Sequence, residues 1–230
     1  FFNPKAGITY EWNARHRVYF SFARGSKEPV RDDFVDSSPE SRPNAERMTD
    51  FEAGYHFNAR AVRVSINAYL MDYTDQLILT GKINDVGEYT RQNVRDSYRA
   101  GIESELACHL TPKWVLAGNL SISRNRIREF NEYIDDYDQG GQQVNTYRDV
   151  PIAFSPEVIA ALQLIFKPAK GLSLTAANKF VGQQYLDNTA NNDRSLDAFQ
   201  VTDLRAEYRF SIKSIRDIGF RWAVYNLFNR

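Results

Sequence analysis

Val62-Arg63-Val64-Ser65-Ile66-Asn67-Ala68-Tyr69-Leu70 alternates apolar and polar residues without a break. Side chains of a β-strand leave on opposite faces with a period of two, so this stretch reads as a strand with one greasy and one wet face. The pattern recurs along the 230 residues. Trp114, Leu116, Gly118, Leu120 and Ile122 alternate with Val115, Ala117, Asn119, Ser121 and Ser123, and Leu204, Ala206, Tyr208 and Phe210 with Asp203, Arg205, Glu207 and Arg209. Weaker copies at 6–12, 18–22, 51–57, 100–108, 158–166, 172–180 and 220–228 bring the expectation to ten strands. Helical readings of 45–53 and 158–166 lack a capping box together with a 3.6-residue stripe.

The connections add a second regularity. Short polar turns are expected at 13–16, 58–60, 109–113, 167–171 and 211–217, and long segments at 24–46, 74–97, 126–155 and 183–198. Short and long alternate, as in an up-and-down membrane barrel with short turns at one rim and long loops at the other. A soluble sandwich has no reason to segregate loop length in this way.

Composition agrees with several classes and removes others. The 29 Lys and Arg balance the 29 Asp and Glu, so nothing global favours nucleic acid. One Cys excludes an internal disulfide and a multi-cysteine metal cluster. No apolar run is longer than the five residues of 158–162, far below the roughly 20 that a membrane-spanning helix needs. A barrel strand hides its apolar half behind every second residue and escapes that test. The chain begins at Phe1 and stops in an apolar stretch at Arg230, which reads as a piece of a longer protein.

Aromatics and charges assign the faces. Trp12, Phe57, Trp114, Phe166, Phe210 and Phe220 fall near the short turns on the apolar parity, and Phe2, Phe22, Phe51 and Phe180 near the long loops. Two rings around an Ala, Val, Leu and Ile band are what interfacial girdles look like. Arg63, Arg99, Glu103, Glu105, Lys179, Asp203, Arg205, Glu207, Arg209 and Arg221 share the opposite parity, which would line a wet lumen.

Specific strings then resemble a known family. Residues 46–55 (Glu-Arg-Met-Thr-Asp-Phe-Glu-Ala-Gly-Tyr) followed by 62–73 are similar to a strand pair of TonB-dependent outer-membrane receptors. Arg99-Ala100-Gly101-Ile102-Glu103 resembles their RGxE strand, Phe180-Val181-Gly182-Gln183-Gln184-Tyr185-Leu186-Asp187-Asn188 their Y.G..Y.DN segment, and Val224-Tyr225-Asn226-Leu227-Phe228-Asn229 their V.NLFN strand. Residues 72–81, then Asn84-Asp85-Val86-Gly87, are similar to receptors of the Bacteroidetes type. The resemblance implies an all-β, antiparallel, up-and-down transmembrane barrel of 22 strands, of which residues 1–230 would supply numbers 12 to 21. The plug, the first eleven strands and the closing strand would lie outside the chain. It also implies a multi-pass outer-membrane protein of a Gram-negative cell, in contact with lipid and lipopolysaccharide. Energised by the TonB–ExbB–ExbD complex through the plug, it would import a ferric siderophore or other iron chelate. Haem, cobalamin or glycan uptake, a passive porin-like channel and a soluble carbohydrate-binding module are the alternatives.

For an anionic chelate, cations and aromatics on the long loops are the expected contacts. Arg24, Lys27 and Arg31 in the first, Tyr89 and Arg91 in the second, and Arg124 and Arg126 at the third fit that role. No catalytic residue, cofactor or metal is expected. His16, His56 and His109 have no ligand spacing and read as solvated turn residues, and Cys108 as a packed or lipid-facing thiol. Glu132, Asp135, Asp136 and Asp138 with Gly140-Gly141 offer oxygen ligands without the full spacing of a calcium loop, and otherwise form a solvated acidic tip.

Overall fold

Alternation of this kind folds as ladders, and a computed structural model of the chain shows them. It describes residues 1–35, 42–83, 89–135 and 142–228, and all their side chains except those of residues 35, 79–83, 89, 90, 135 and 142. In chain order the strands are β1 (Lys5–Asn13), β2 (His16–Lys27), β3 (Glu46–Asn58), β4 (Val62–Ile83), β5 (Tyr89–His109), β6 (Trp114–Asp135) and β7 (Gln142–Pro151). They continue with β8 (Val158–Phe166), β9 (Leu172–Val181), β10 (Gln184–Tyr185), β11 (Ser195–Leu196), β12 (Phe199–Ile212) and β13 (Ile215–Val224). One five-residue helix, α1 (Arg31–Val35), lies after β2. The sheet order β1-β2-β3-β4-β5-β6-β8-β9-β12-β13 is an antiparallel meander of the ten expected strands, including the two stretches that also admitted a helical reading.

The short turns close by local chemistry. Asn13 Oδ1 accepts from the Arg15 amide at 2.8 Å, and Thr111 Oγ1 from the Lys113 and Trp114 amides at 3.2 and 3.1 Å. Gly171 has φ of 80° and lies so close to the Arg209 carbonyl that a Cβ would meet its oxygen at 2.0 Å, so only glycine fits.

Aromatics cluster at both rims of the apolar face. Trp114 stacks on Phe166 at 4.2 Å and Phe210 on Phe220 at 6.1 Å, while Phe22 and Phe51 meet at 5.3 Å at the other rim. The lower ring also reports strand tilt. The row through Phe57 runs Val64, Leu106, Gly118, yet the β6 member of the girdle is Trp114, four residues further down. Four residues are about 13 Å of strand and three strand spacings about 14 Å, so the strands lean roughly 45° to the girdle. That matches the tilt of about 35–45° of membrane barrels.

Two histidines depart from expectation. His16 stacks on Trp12 at 5.1 Å, meets the tilted Phe57 ring at 4.9 Å and has its Nδ1 2.8 Å from the Tyr55 hydroxyl, while His56 stacks on Tyr19 at 5.6 Å. Both are structural parts of ring clusters, not free turn residues.

On the polar face, large rings cover glycines across the ladder. Tyr19 lies opposite Gly54 and Tyr69 opposite Gly101. A Cβ on Gly54 would fall 2.0 Å from Tyr19 Cε1, and one on Gly101 2.8 Å from the Tyr69 hydroxyl. Tyr19 is held over Gly54 by donating to Asn67 Oδ1 at 2.8 Å.

Above the apolar band the structure corrects the loop boundaries. Segments 74–97 and 126–155 are not mainly loop: β4, β5 and β6 run on beyond the band and β7 pairs with β6. Expected to reach Phe228, the last strand instead ends at Val224, because Asn226 takes φ of 49°. Beyond the rung Ser97–Ile127 the β4–β5 and β6–β7 ribbons part and enclose Ile78, Val94, Ile127, Phe130, Val150 and Ile152 in a small dry core. The segment between β9 and β12 is fastened to it. Buried Asn188 accepts from the Ala153 amide at 2.8 Å, and Arg194 reaches Asp187 at 3.0 Å and Glu132 at 3.5 Å. Burial pushes the Asp187 carboxyl up, but hydrogen bonds from the Thr189 hydroxyl and amide, with Arg194, outweigh it and hold the carboxyl below its ordinary range.

Two outcomes follow for the intact protein in detergent. Gly54→Val should lower stability by about 1–3 kcal/mol through overpacking against Tyr19. Adding Tyr19→Ala should restore most of the loss in denaturant midpoints followed by gel mobility; strictly additive losses would exclude the coupling. Asp187→Asn should weaken the latch by about 1–2 kcal/mol and speed tryptic cleavage after Arg194 several-fold at neutral pH. Since the native carboxyl titrates below its unfolded value, the latch is complete above about pH 4 and is lost only as pH falls through that lower native value.

Candidate functional site

Where the polar face reaches the long-loop rim, three successive rungs collect hydrogen-bonding and charged groups. One rung holds Ala23, Asp50, Met71, Arg99 and Asn125, and the next Gly25, Met48, Tyr73, Ser97 and Ile127. Lys27 and Glu46 form the third, 3.6 Å apart. Arg99 donates to Ser155 Oγ at 3.1 Å, and buried Ser97 to Gln76 Oε1 at 2.6 Å. Asp50 Oδ1 is buried and has no partner among the described residues. A guanidinium, a phenol, an ammonium and a buried carboxylate oxygen without a partner among the described residues therefore share one wall below the dry core.

The seven residues singled out from sequence are dispersed. Lys27 lies on this wall. Arg31 opens α1 and is exposed, and Arg91 on β5 approaches Asp33 of the same helix at 3.6 Å, so these two share the outer rim. Tyr89 pairs in backbone register with Ile83, and its side chain lies outside the described ones. Arg24, Arg124 and Arg126 have the parity of Phe22, Leu120 and Ile122, so they leave from the apolar side. Arg124 is bound to Asp149 at 2.7 Å and Arg126 to Glu157 at 2.6 Å. Tyr73 and Asp50 were missed, and Arg99 was placed on the wet face without a role. The signal for all three was their parity, read one or two positions beyond the girdle.

Glu132 of the acidic run accepts from the Tyr147 hydroxyl at 2.9 Å and faces Arg194, so it is engaged within the protein. Asp136, Asp138, Gly140 and Gly141 lie outside the described residues, as do Asn84, Asp85, Val86, Gly87 and Asn229 of the family strings. Among the described residues no group of three or more His, Cys, Asp or Glu could hold a metal ion.

Known proteins share this architecture. The chain is similar to the ferric-catecholate import receptor Fiu of E. coli in its closed form, at 19% identity and a TM-score of 0.69, covering 98% of this chain and 30% of that one. It is similar to the siderophore receptor PiuA of Acinetobacter baumannii (17%, TM-score 0.74, 98% and 31%) and to the copper transporter OprC (16%, 0.74, 98% and 33%). The chain thus spans about a third of the length of these solved proteins, and at such identities the likeness shows the fold. No curated protein matches. The family profile described as "TonB dependent receptor-like, beta-barrel" matches residues 1–227, in keeping with the tilted, two-faced meander, and the chain belongs to that family.

Proposed function

We propose that residues 1–230 are the C-terminal portion of the barrel of a TonB-dependent transporter in the outer membrane, and that the whole protein imports a ferric siderophore or other iron chelate. The observation that carries this reading is the polar wall at the mouth, where Lys27, Tyr73 and Arg99 stand on successive rungs. Cations and phenols suit catecholate, hydroxamate and carboxylate chelates, whose oxygens are anionic and whose rings stack. Fiu, a ferric-catecholate import receptor, and PiuA, a siderophore receptor, support the substrate class; OprC, a copper transporter, keeps a metal cargo of another kind as the second reading.

In this reading Lys27, Arg31, Tyr89 and Arg91 meet the chelate at the rim and Arg99 with Tyr73 holds it in the lumen. Arg24, Arg124 and Arg126 face away and are not assigned to it. A plug outside this chain closes the pore, and the TonB–ExbB–ExbD complex supplies the work that displaces it. Transport then rests on different affinities of the plug-closed and plug-open states for the same ligand.

In cells lacking other iron receptors, the full-length protein should support accumulation of radiolabelled ferric siderophore only when TonB is present. Iron entry without TonB, or steady ion conductance in planar bilayers, would replace the proposal with a passive channel. Arg99→Ala should weaken chelate binding about 10- to 100-fold, the loss expected for a charge-assisted hydrogen bond. Unchanged binding would remove Arg99 from the site.

A further inference from the structure

At the short-turn end of the polar face, far from the mouth, four cations are open. Arg17 on β2 and Arg63 on β4 share the face of Tyr19 and Asn67, and both are exposed. They flank a cavity of about 560 Å³, set back into the wall by Ala107, Ala117 and Ala161 and lined also by Asn119 and Gln163. Lys113 and Lys167, likewise exposed, continue the same face one position below the rung Trp114–Phe166. The Lys167 amide donates to the Lys113 carbonyl at 2.8 Å, so the two stand opposite each other, where like charges repel. None of the four forms an ion pair among the described residues, although Glu11 lies opposite Arg17 and Glu105 diagonal to Arg63. Arg209, near the same rim on β12, is by contrast engaged with Glu207. The local sum is two positive charges.

We propose that Arg17, Arg63, Lys113 and Lys167 form an exit subsite for anionic cargo, the last wall contact before release on the short-turn side. The subsite rests on the proposed function, since it takes the same negatively charged chelate. Position separates it from the mouth. Arg17 lies ten residues along β2 from Lys27, about 33 Å of strand. Cargo leaving the wall of Lys27, Tyr73 and Arg99 therefore needs a second favourable contact to complete the path. Passage through a pore requires sites that bind well enough to be entered and weakly enough to be left, and Arg and Lys rings serve this purpose for anions. The arrangement fits weak, exchangeable contact. Arg17, Arg63 and Lys113 stand on every second strand, about 10 Å apart across the sheet, so a bulky chelate meets one or two charges at a time. The cavity between the two arginines has the size of a small-molecule pocket, and its Asn119 and Gln163 amides can donate to chelate oxygens. An anion bridging Lys113 and Lys167 also relieves their repulsion.

The test uses the full-length receptor in cells lacking other iron receptors, with a radiolabelled ferric tris-catecholate as probe and unheated gel mobility to verify folding. R17Q/R63Q/K113Q/K167Q should bind the probe on de-energised cells as tightly as the unaltered protein. Its TonB-dependent uptake at saturating probe should fall about tenfold, a loss in turnover without a loss in capture. R17K/R63K should keep most of the uptake. K113Q/K167Q, which removes a repulsive pair, should fold at least as well as the unaltered protein and still lose several-fold in rate. Unchanged uptake by the folded variants would overturn the subsite. Weakened binding on de-energised cells would assign the four residues to the mouth instead. Entry of a large antibiotic without TonB would show that they only anchor the plug, and would equally overturn the proposal. Failure of the unaltered receptor to accumulate the probe would overturn the proposed function and the subsite with it, whereas failure confined to the variants overturns the subsite alone.

Discussion

Backbone amides and carbonyls must be paired wherever water cannot reach them, and in a bilayer only a continuous ladder does this for strands. The chain obeys that constraint along the whole band. Register runs unbroken from β2 through β3 to β4, from β5 to β6 and from β8 through β9 to β12. The slips fall at strand ends, between Glu11 and Asn13, Leu79 and Ile83, and Phe210 and Ile212. Positive φ in non-glycine residues likewise occurs at Asp75, Asp149, Phe154, Ala190, Asp217 and Asn226, towards the rims or beyond them. Irregularity is admitted where water can satisfy what it frees. Side chains follow the same law: Asn178 and Thr202 interrupt the apolar face, and Asn178 donates to the Thr202 hydroxyl at 2.7 Å.

With the ladder fixed, parity decides what each residue meets, and this is why so much of the fold was legible. A period of two, such as Val62 to Leu70, fixes strand, face and register with its neighbour together, because a one-residue slip would turn every apolar side chain inward. The same reasoning found the girdles, since large rings at the end of an apolar stripe have few other uses. It failed above the band. There β4, β5 and β6 have polar residues on both faces, so the alternation that announces a strand is gone while the hydrogen bonds continue. The dry core draws on Ile78, Val94, Ile127, Phe130 and Val150, on four strands whose ribbons have separated, and on Ile152 just past the end of β7. No one-dimensional pattern joins them.

The candidate site was less legible for a related reason. Reading cations from long loops treats a loop as having no sides, yet Arg24, Arg124 and Arg126 belong to strands that continue past the band, and strands keep their sides. Parity was available at each position and points them outward. Tyr73 and Arg99 were hidden differently, as members of an ordinary polar parity that becomes notable only near the rim. His16 shows the opposite error: its place beside a tight turn suggested solvent, whereas the Trp12, Tyr55 and Phe57 rings leave it half buried.

Rigidity at the mouth follows from how the outer segments are tied. Asn93 accepts from the Asn44 amide at 2.7 Å and donates to the Asp75 carbonyl at 2.6 Å, joining the end of the first long segment to the β4–β5 ribbon. Arg194 joins the segment after β9 to β6 through Glu132, and Asn188 joins it to Ala153. Few of these contacts bury much area, but each closes a loop whose ends the sheet already holds, so little additional entropy is lost in making them. The walls of the mouth are thereby built as extensions of the sheet. Under the proposed function, selectivity for a bulky ligand rests on the fixed spacing of Lys27, Tyr73 and Arg99 along one face, which a set of independent loops could not maintain.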